Sequence, residues 1–277
     1  MHNLTPTHFI MDPEEIIKRA KNPDNIPGIY NYCDRWCERC AFTSRCLNRE
    51  ISKEHEKNIG EMDVRNSRYW DEISSIFKTT MQLMQHFAEK EGIDLDSFDK
   101  EELEAESRKR EHEHEKAMNH PISVTAKNYM EMVNAFFKNE RELFEQKGKE
   151  MDNQFRLGIN ESKIKREVDS IQDAFEIINW YSTQVEVKMI RAFTSRVDEE
   201  EEEWEDENGF QRDSDGSAKV ALMGIDRSIY AWGKLQRLFP DETDNLITFL
   251  LHLDRLRKKI EEEFPEARNF KRPGFDD

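Results

Sequence analysis

Residues Ile164 to Met189 read IKREVDSIQDAFEIINWYSTQVEVKM. Ile164, Val168, Ile171, Phe175, Ile178, Val185 and Met189 recur at alternating steps of four and three, with Ser182 as the one polar gap. A helix with that spacing turns one apolar face toward a neighbouring helix at a shallow crossing angle. Four further stripes share the pattern. Met62, Tyr69, Ile73, Ile76, Leu83 and Phe87 form one, and Ile122, Ala126, Tyr129, Val133, Phe136 and Leu143 a second that starts just after Pro121. Ala218, Leu222, Ile225, Ile229 and Trp232 form the next, and Leu246, Leu250, Leu253 and Ile260 the last. The pattern predicts an all-α chain, an antiparallel bundle of four to five long helices preceded by an irregular cysteine-rich segment.

Composition agrees. Only 10 Gly and 8 Pro stand among 277 residues, too few for a sandwich or a propeller. The net charge of −17 opposes long-range attraction to nucleic acid or to an anionic membrane. No apolar run reaches the roughly 18 residues of a spanning helix, and the opening MHNLTP lacks a signal-peptide pattern, so a cytoplasmic protein is expected. Asp198 to Glu207, DEEEEEWEDE, reads as a solvated acidic loop extending to about residue 216. Its sharper reading is a docking loop for a basic protein partner, anchored by Trp204. The expected division is residues 1–50 as a metal-binding segment and 51–277 as the bundle.

Between short turns, Asp12 and Pro13 mark a helix start. His120 before Pro121 marks another. His252 reads as a satisfied structural histidine, and Asp226 as a salt-bridged carboxylate. Phe270 and Phe275 in the tail are expected to pack back on the bundle. A di-iron site would need paired Glu-x-x-His motifs, and only Glu111 and His114 fit, inside a charged stretch. Gln172, Glu176, Asn179, Thr183 and Glu186 form a polar stripe, read as a solvated face or as the wall of a polar pocket.

All four cysteines fall within YCDRWCERCAFTSRC: Cys33, Cys37, Cys40 and Cys46, spaced C-x3-C-x2-C-x5-C. Thiols gathered so closely in a reducing compartment point to a metal. On an unbroken helix Cys33, Cys37 and Cys40 would share a stripe, while Cys46 would lie roughly 220° away. A four-sulfur site therefore needs the backbone to break between Cys40 and Cys46, where Thr43 and Ser44 compete for backbone hydrogen bonds. A single Zn²⁺ with Zn–S of ~2.3 Å holds its sulfurs less than ~4 Å apart. A [4Fe–4S] cluster is larger and accepts compact ligand runs. Cys33, Cys37, Cys40 and Cys46 are thus the expected ligands of a [4Fe–4S] cluster, or alternatively of Zn²⁺. Arg35, Arg39, Arg45 and Arg49 would offset thiolate charge, and Tyr30, Tyr32, Trp36 and Phe42 would shield the centre.

Cys37 to Cys46, with its C-x2-C-x5-C spacing, is similar to the iron–sulfur staple of RecB-type exonucleases. That resemblance implies a cluster pinning a helical end. It does not extend to a nuclease, because no strands carry a carboxylate set and Cys33 is adjacent rather than far upstream. Cys33, Cys37 and Cys40 also match the C-x3-C-x2-C spacing of radical SAM enzymes, whose β/α barrel has no counterpart in this helical pattern. The leading expectation is a non-enzymatic metal-binding protein in which the site staples the N-terminal segment to the bundle and senses redox state or metal. The alternative is a redox enzyme or electron-transfer protein with a second site in the bundle. Nothing in the sequence assigns a catalytic residue.

Overall fold

The computed structural model describes residues 13–59, 65–201 and 211–276. Among them the chain is all-α, with no strand. Nine α-helices are described: α1 (Pro13–Ala20), α2 (Leu47–Ile59), α3 (Ser67–Glu91), α4 (Lys100–Asn119), α5 (Pro121–Asn139), α6 (Arg141–Arg156), α7 (Glu161–Glu201), α8 (Asp213–Leu238) and α9 (Thr243–Glu263). No helix among the described residues is long and apolar enough to cross a membrane. The chain divides into two compact units, Met1–Arg108 with Pro273–Asp277, and Lys109–Arg272. The cysteine segment therefore shares its unit with α2 and α3.

The second unit is built on the stripes read from the sequence. Ile122, Ala126, Tyr129, Val133 and Phe136 are buried along α5, but Leu143 belongs to α6, because the chain breaks at Glu140. Ile164, Ile178, Val185 and Met189 are buried on α7, and Ser182 is buried with them. Val168 is the exception, at 43% exposed. The centre is aromatic: Trp232 of α8 stacks on Phe249 of α9 at 4.1 Å and meets Phe136 of α5 edge-on at 5.4 Å. Its indole Nε1 donates to Tyr129 Oη at 3.0 Å, which satisfies both buried polar groups. Burial pushes the Tyr129 phenol up to about 12, so it stays neutral.

Partner numbers fall on α8 as they rise on α7. Asp173 accepts from Lys234 at 3.2 Å, Tyr181 is bonded by Arg227, and Arg191 donates to Asp213 at 2.7 Å. The two helices thus run in opposite directions. Gly224 lets them close: a Cβ there would lie 2.8 Å from the Tyr181 ring. At the top, Glu199 of α7 is buried, and its carboxylate accepts from Ser214 N at 2.9 Å and Ser214 Oγ at 2.7 Å. A carboxylate on the first turn of α8 satisfies backbone donors that would otherwise be orphaned. This corrects the acidic-loop reading at both ends. Asp198–Glu201 close α7 and Asp213–Gly216 open α8, while Trp204 and residues 202–210 lie outside the described residues.

The first unit is tied by ion pairs. Arg19 of α1 reaches Glu54 at 2.7 Å and Glu50 at 3.4 Å on α2, and His55 of α2 meets Glu72 of α3 at 2.5 Å. The stripe expected on α3 is rotated as a result. Tyr69, Ile73, Ile76 and Leu83 are only half-buried and Phe87 is 48% exposed, whereas Glu72, Ser75 and Thr79 are buried. Glu72 turns inward here to meet His55 of α2. Met62 and Asp12 lie outside the described residues, and α1 begins at Pro13 as expected.

Candidate functional site

The cysteine segment is not an α-helix. It is two 3-10 turns, Cys37–Arg39 and Thr43–Arg45, each followed by an extended residue, Cys40 and Cys46. The break that the spacing required at Thr43–Ser44 is the second of these turns. A further reversal precedes the first: Arg35 adopts the left-handed region at φ 59°, a conformation costing a non-glycine residue about 1 kcal/mol or more. Asp34 supports it by accepting from Trp36 N at 3.1 Å, and Cys37 N donates to Arg35 O at 3.0 Å. Cys46 then starts α2, its carbonyl accepting from Glu50 N at 3.0 Å.

These reversals bring Cys33, Cys37, Cys40 and Cys46 to the wall of one cavity. The cavity is small and partly open to solvent. Ile29, Tyr30, Trp36 and Phe275 supply much of the remaining wall, with Arg35 and Arg49. All four cysteines are free thiols of intermediate burial. Phe42 N donates to Cys40 Sγ at 3.4 Å, and the Cys33 thiol donates to Tyr30 O at 3.6 Å. Among the described residues no three His, Cys, Asp or Glu side chains are gathered as a single metal ion would require.

Three of the four arginines, Arg39, Arg45 and Arg49, are engaged. Arg49 pairs with Glu56 at 2.5 Å, Arg45 Nε donates to Asp24 O at 3.0 Å, and the Arg39 guanidinium lies 4.1 Å over the Trp36 ring. Burial pushes the Cys37 thiol up, and neighbouring Cys33, Glu38 and Cys46 push the same way, against the opposing influence of Arg49. At Cys37 desolvation outweighs the opposing Arg49 charge. Of the expected aromatic shield, Tyr30 and Trp36 line the cavity, Phe42 stands behind it, and Tyr32 does not line it.

Two wall residues escaped the sequence reading. Ile29 is fully buried, and Phe275 comes from the other end of the chain, its ring 5.1 Å from Phe42 in an edge-on pair. The tail was expected to pack on the bundle. Phe270 is buried in the second unit, but Phe275 belongs with the cysteines. The Pro-Gly pair before Phe275 was the available signal, since a left-handed Gly274 permits a close approach.

Other candidates disperse. Glu111 and His114 are both exposed on α4. Asp226 is salt-bridged to Arg268 at 2.6 Å and Arg257 at 3.4 Å, and His252 Nε2 is bonded to Thr125 O at 2.9 Å, both as expected. Gln172, Glu176 and Asn179 of the polar stripe edge a cavity between α6 and α7 whose floor is Phe144, Met151 and Phe175. Comparison with family profiles, with curated proteins and with solved structures finds no match to this chain.

Proposed function

We propose that Cys33, Cys37, Cys40 and Cys46 hold a metal centre, a [4Fe–4S] cluster in preference to Zn²⁺, and that the protein is a non-enzymatic metal-binding protein. The finer picture is an antiparallel helical bundle carrying an irregular segment whose shape the centre fixes, so that redox state or metal supply is read out as order in that segment. One observation carries the reading: four cysteines distributed over fourteen residues line a single cavity. Soft sulfur donors of this number suit iron–sulfur clusters and zinc. The compact single-segment run with its short spacings favours the larger group. The amide of Phe42 aimed at Cys40 Sγ suits a thiolate, since a charged acceptor strengthens such a bond. Half-burial among Ile29, Trp36 and Phe275 limits solvent access, a setting that tunes such centres. When bound, the cluster supplies four inorganic cross-links and a one-electron couple.

Elemental analysis and a visible spectrum of anaerobically purified protein test this. A brown protein with about four irons per chain and absorbance near 400 nm is expected. Cys40→Ser should lower the metal content and loosen residues 30–50. Metal-free wild-type protein under those conditions refutes the reading, and one colourless zinc per chain replaces the cluster with the alternative ion.

A further inference from the structure

The strand of chain that closes the cysteine cavity is the C-terminal one. Pro273–Asp277 group with the first unit although Arg272 belongs to the second. Three contacts seat this tail. Phe275 lines the cavity and packs edge-on against Phe42, which lies between Cys40 and Cys46. Gly274, at φ 74°, lies so close to Ile26 and Ile29 that a Cβ would come within 2.8 Å of the first and 3.4 Å of the second. Pro273 lies beside Gly28, itself left-handed at φ 71°. The groups that receive the tail are in turn held by the cysteine segment. Ile26 N donates to Arg45 O at 3.0 Å, one residue before Cys46, and Arg45 Nε donates to Asp24 O.

From this arrangement we infer that residues 273–276 are a metal-gated latch: the centre held by the four cysteines fixes the surface that Phe275 and Gly274 grip, and its loss frees this tail. The inference rests on the cysteines holding a metal. Its logic is linkage. A tail that packs on the ordered cysteine segment must favour the metal-bound state by the same factor by which the metal favours the closed tail. The 3-10 turns that carry Phe42 and Arg45 have few backbone bonds of their own, so four metal–sulfur bonds are the strongest restraint available to them. Phe275 acts through this contact and is a positioning residue, not a ligand.

The test uses the full chain, purified anaerobically with its metal, and the same protein stripped with an iron chelator. Each is treated with a non-specific carboxypeptidase, and the intact mass is followed for loss of Phe275. The metal-loaded chain should lose Phe275 at least tenfold more slowly than the stripped chain. A second arm follows metal release to the chelator. Phe275→Ala should load to the same stoichiometry and release metal at least fivefold faster, and Phe275→Leu should restore most of the difference. Equal trimming of loaded and stripped chains overturns the latch while leaving the metal site standing. A wild-type chain that never contains metal overturns both together, and the stoichiometry separates those two failures. Should Phe275→Ala fail to fold, the trimming of the wild-type chain decides alone.

Discussion

Gly224 and Gly148 are both interior to helices, and their surroundings give them opposite meanings. At Gly224 a methyl group would sit 2.8 Å from Tyr181 Cδ1 and 3.3 Å from Val185 Cγ2. The Tyr181 ring cannot easily yield, because its hydroxyl is bonded by Arg227 and the side chain is buried. At Gly148 a methyl group would meet nothing within 4 Å. Glycine costs a helix interior about 1 kcal/mol relative to alanine, while overpacking costs about 1–3 kcal/mol. Gly224→Ala should therefore lose up to about 2 kcal/mol net, and Gly148→Ala should gain up to about 1 kcal/mol. Urea denaturation followed by circular dichroism measures both. Equal effects of the same sign would mean that the α7–α8 approach is not what selects Gly224. The glycine at 224 lies inside a stripe that the sequence makes legible, but its close contact does not, because the absence of a side chain leaves no periodic mark.

Helix α5 starts with a device readable from two residues. His120 caps it, Nδ1 accepting from Ile122 N at 3.3 Å, and Pro121 follows at the first position. The imidazole also lies against Phe193 at 3.7 Å. Burial holds its pKa below the ordinary 6.5, with Glu263 opposing and Arg196 reinforcing that direction. The sign follows from the proton count. Between 6.5 and the lower folded value, the unfolded chain binds a proton that the folded chain refuses, so stability falls as pH falls through that window. Protonation also turns the Nδ1 acceptor into a donor and breaks the cap. The melting temperature of the wild type minus that of His120→Asn, which keeps a capping side chain without titrating, should decrease on going from pH 7 to pH 5. A flat difference would place the cap outside the folding equilibrium. At this scale the stripes of α5, α7, α8 and α9 were legible because each helix meets other apolar helices. The stripe of α3 misled because burial there is set by charged neighbours: Glu72 turns inward to meet His55, and Phe77 is left 68% exposed. Periodicity reports that a face is apolar, and it does not report what the partner presents.

For the molecule as a whole, the cysteine spacing made legible the backbone break between Cys40 and Cys46, because that break is local. It could not show that the cavity is completed by Phe275, since a contact between opposite ends of a chain has no local pattern. The same contrast separates what the proposed centre should and should not stabilise. Helices α5, α7, α8 and α9 hold a continuous apolar core that needs no cross-link. Residues 26–46 have short turns, a left-handed Arg35 and half-buried side chains, a composition too poor in buried apolar surface to order itself strongly. Removing the proposed centre by chelation, or by Cys37→Ser, should therefore raise amide exchange in residues 26–46 and 273–276 by at least tenfold. Exchange of the buried amides around Trp232, Ile178 and Leu253 should change less than twofold. Hydrogen exchange with peptide-level mass spectrometry reads both segments in one experiment. A uniform rise across both sets would mean that the second unit depends on the centre for its fold. An unchanged cysteine segment would mean that the turns hold the four sulfurs without help from any bound group.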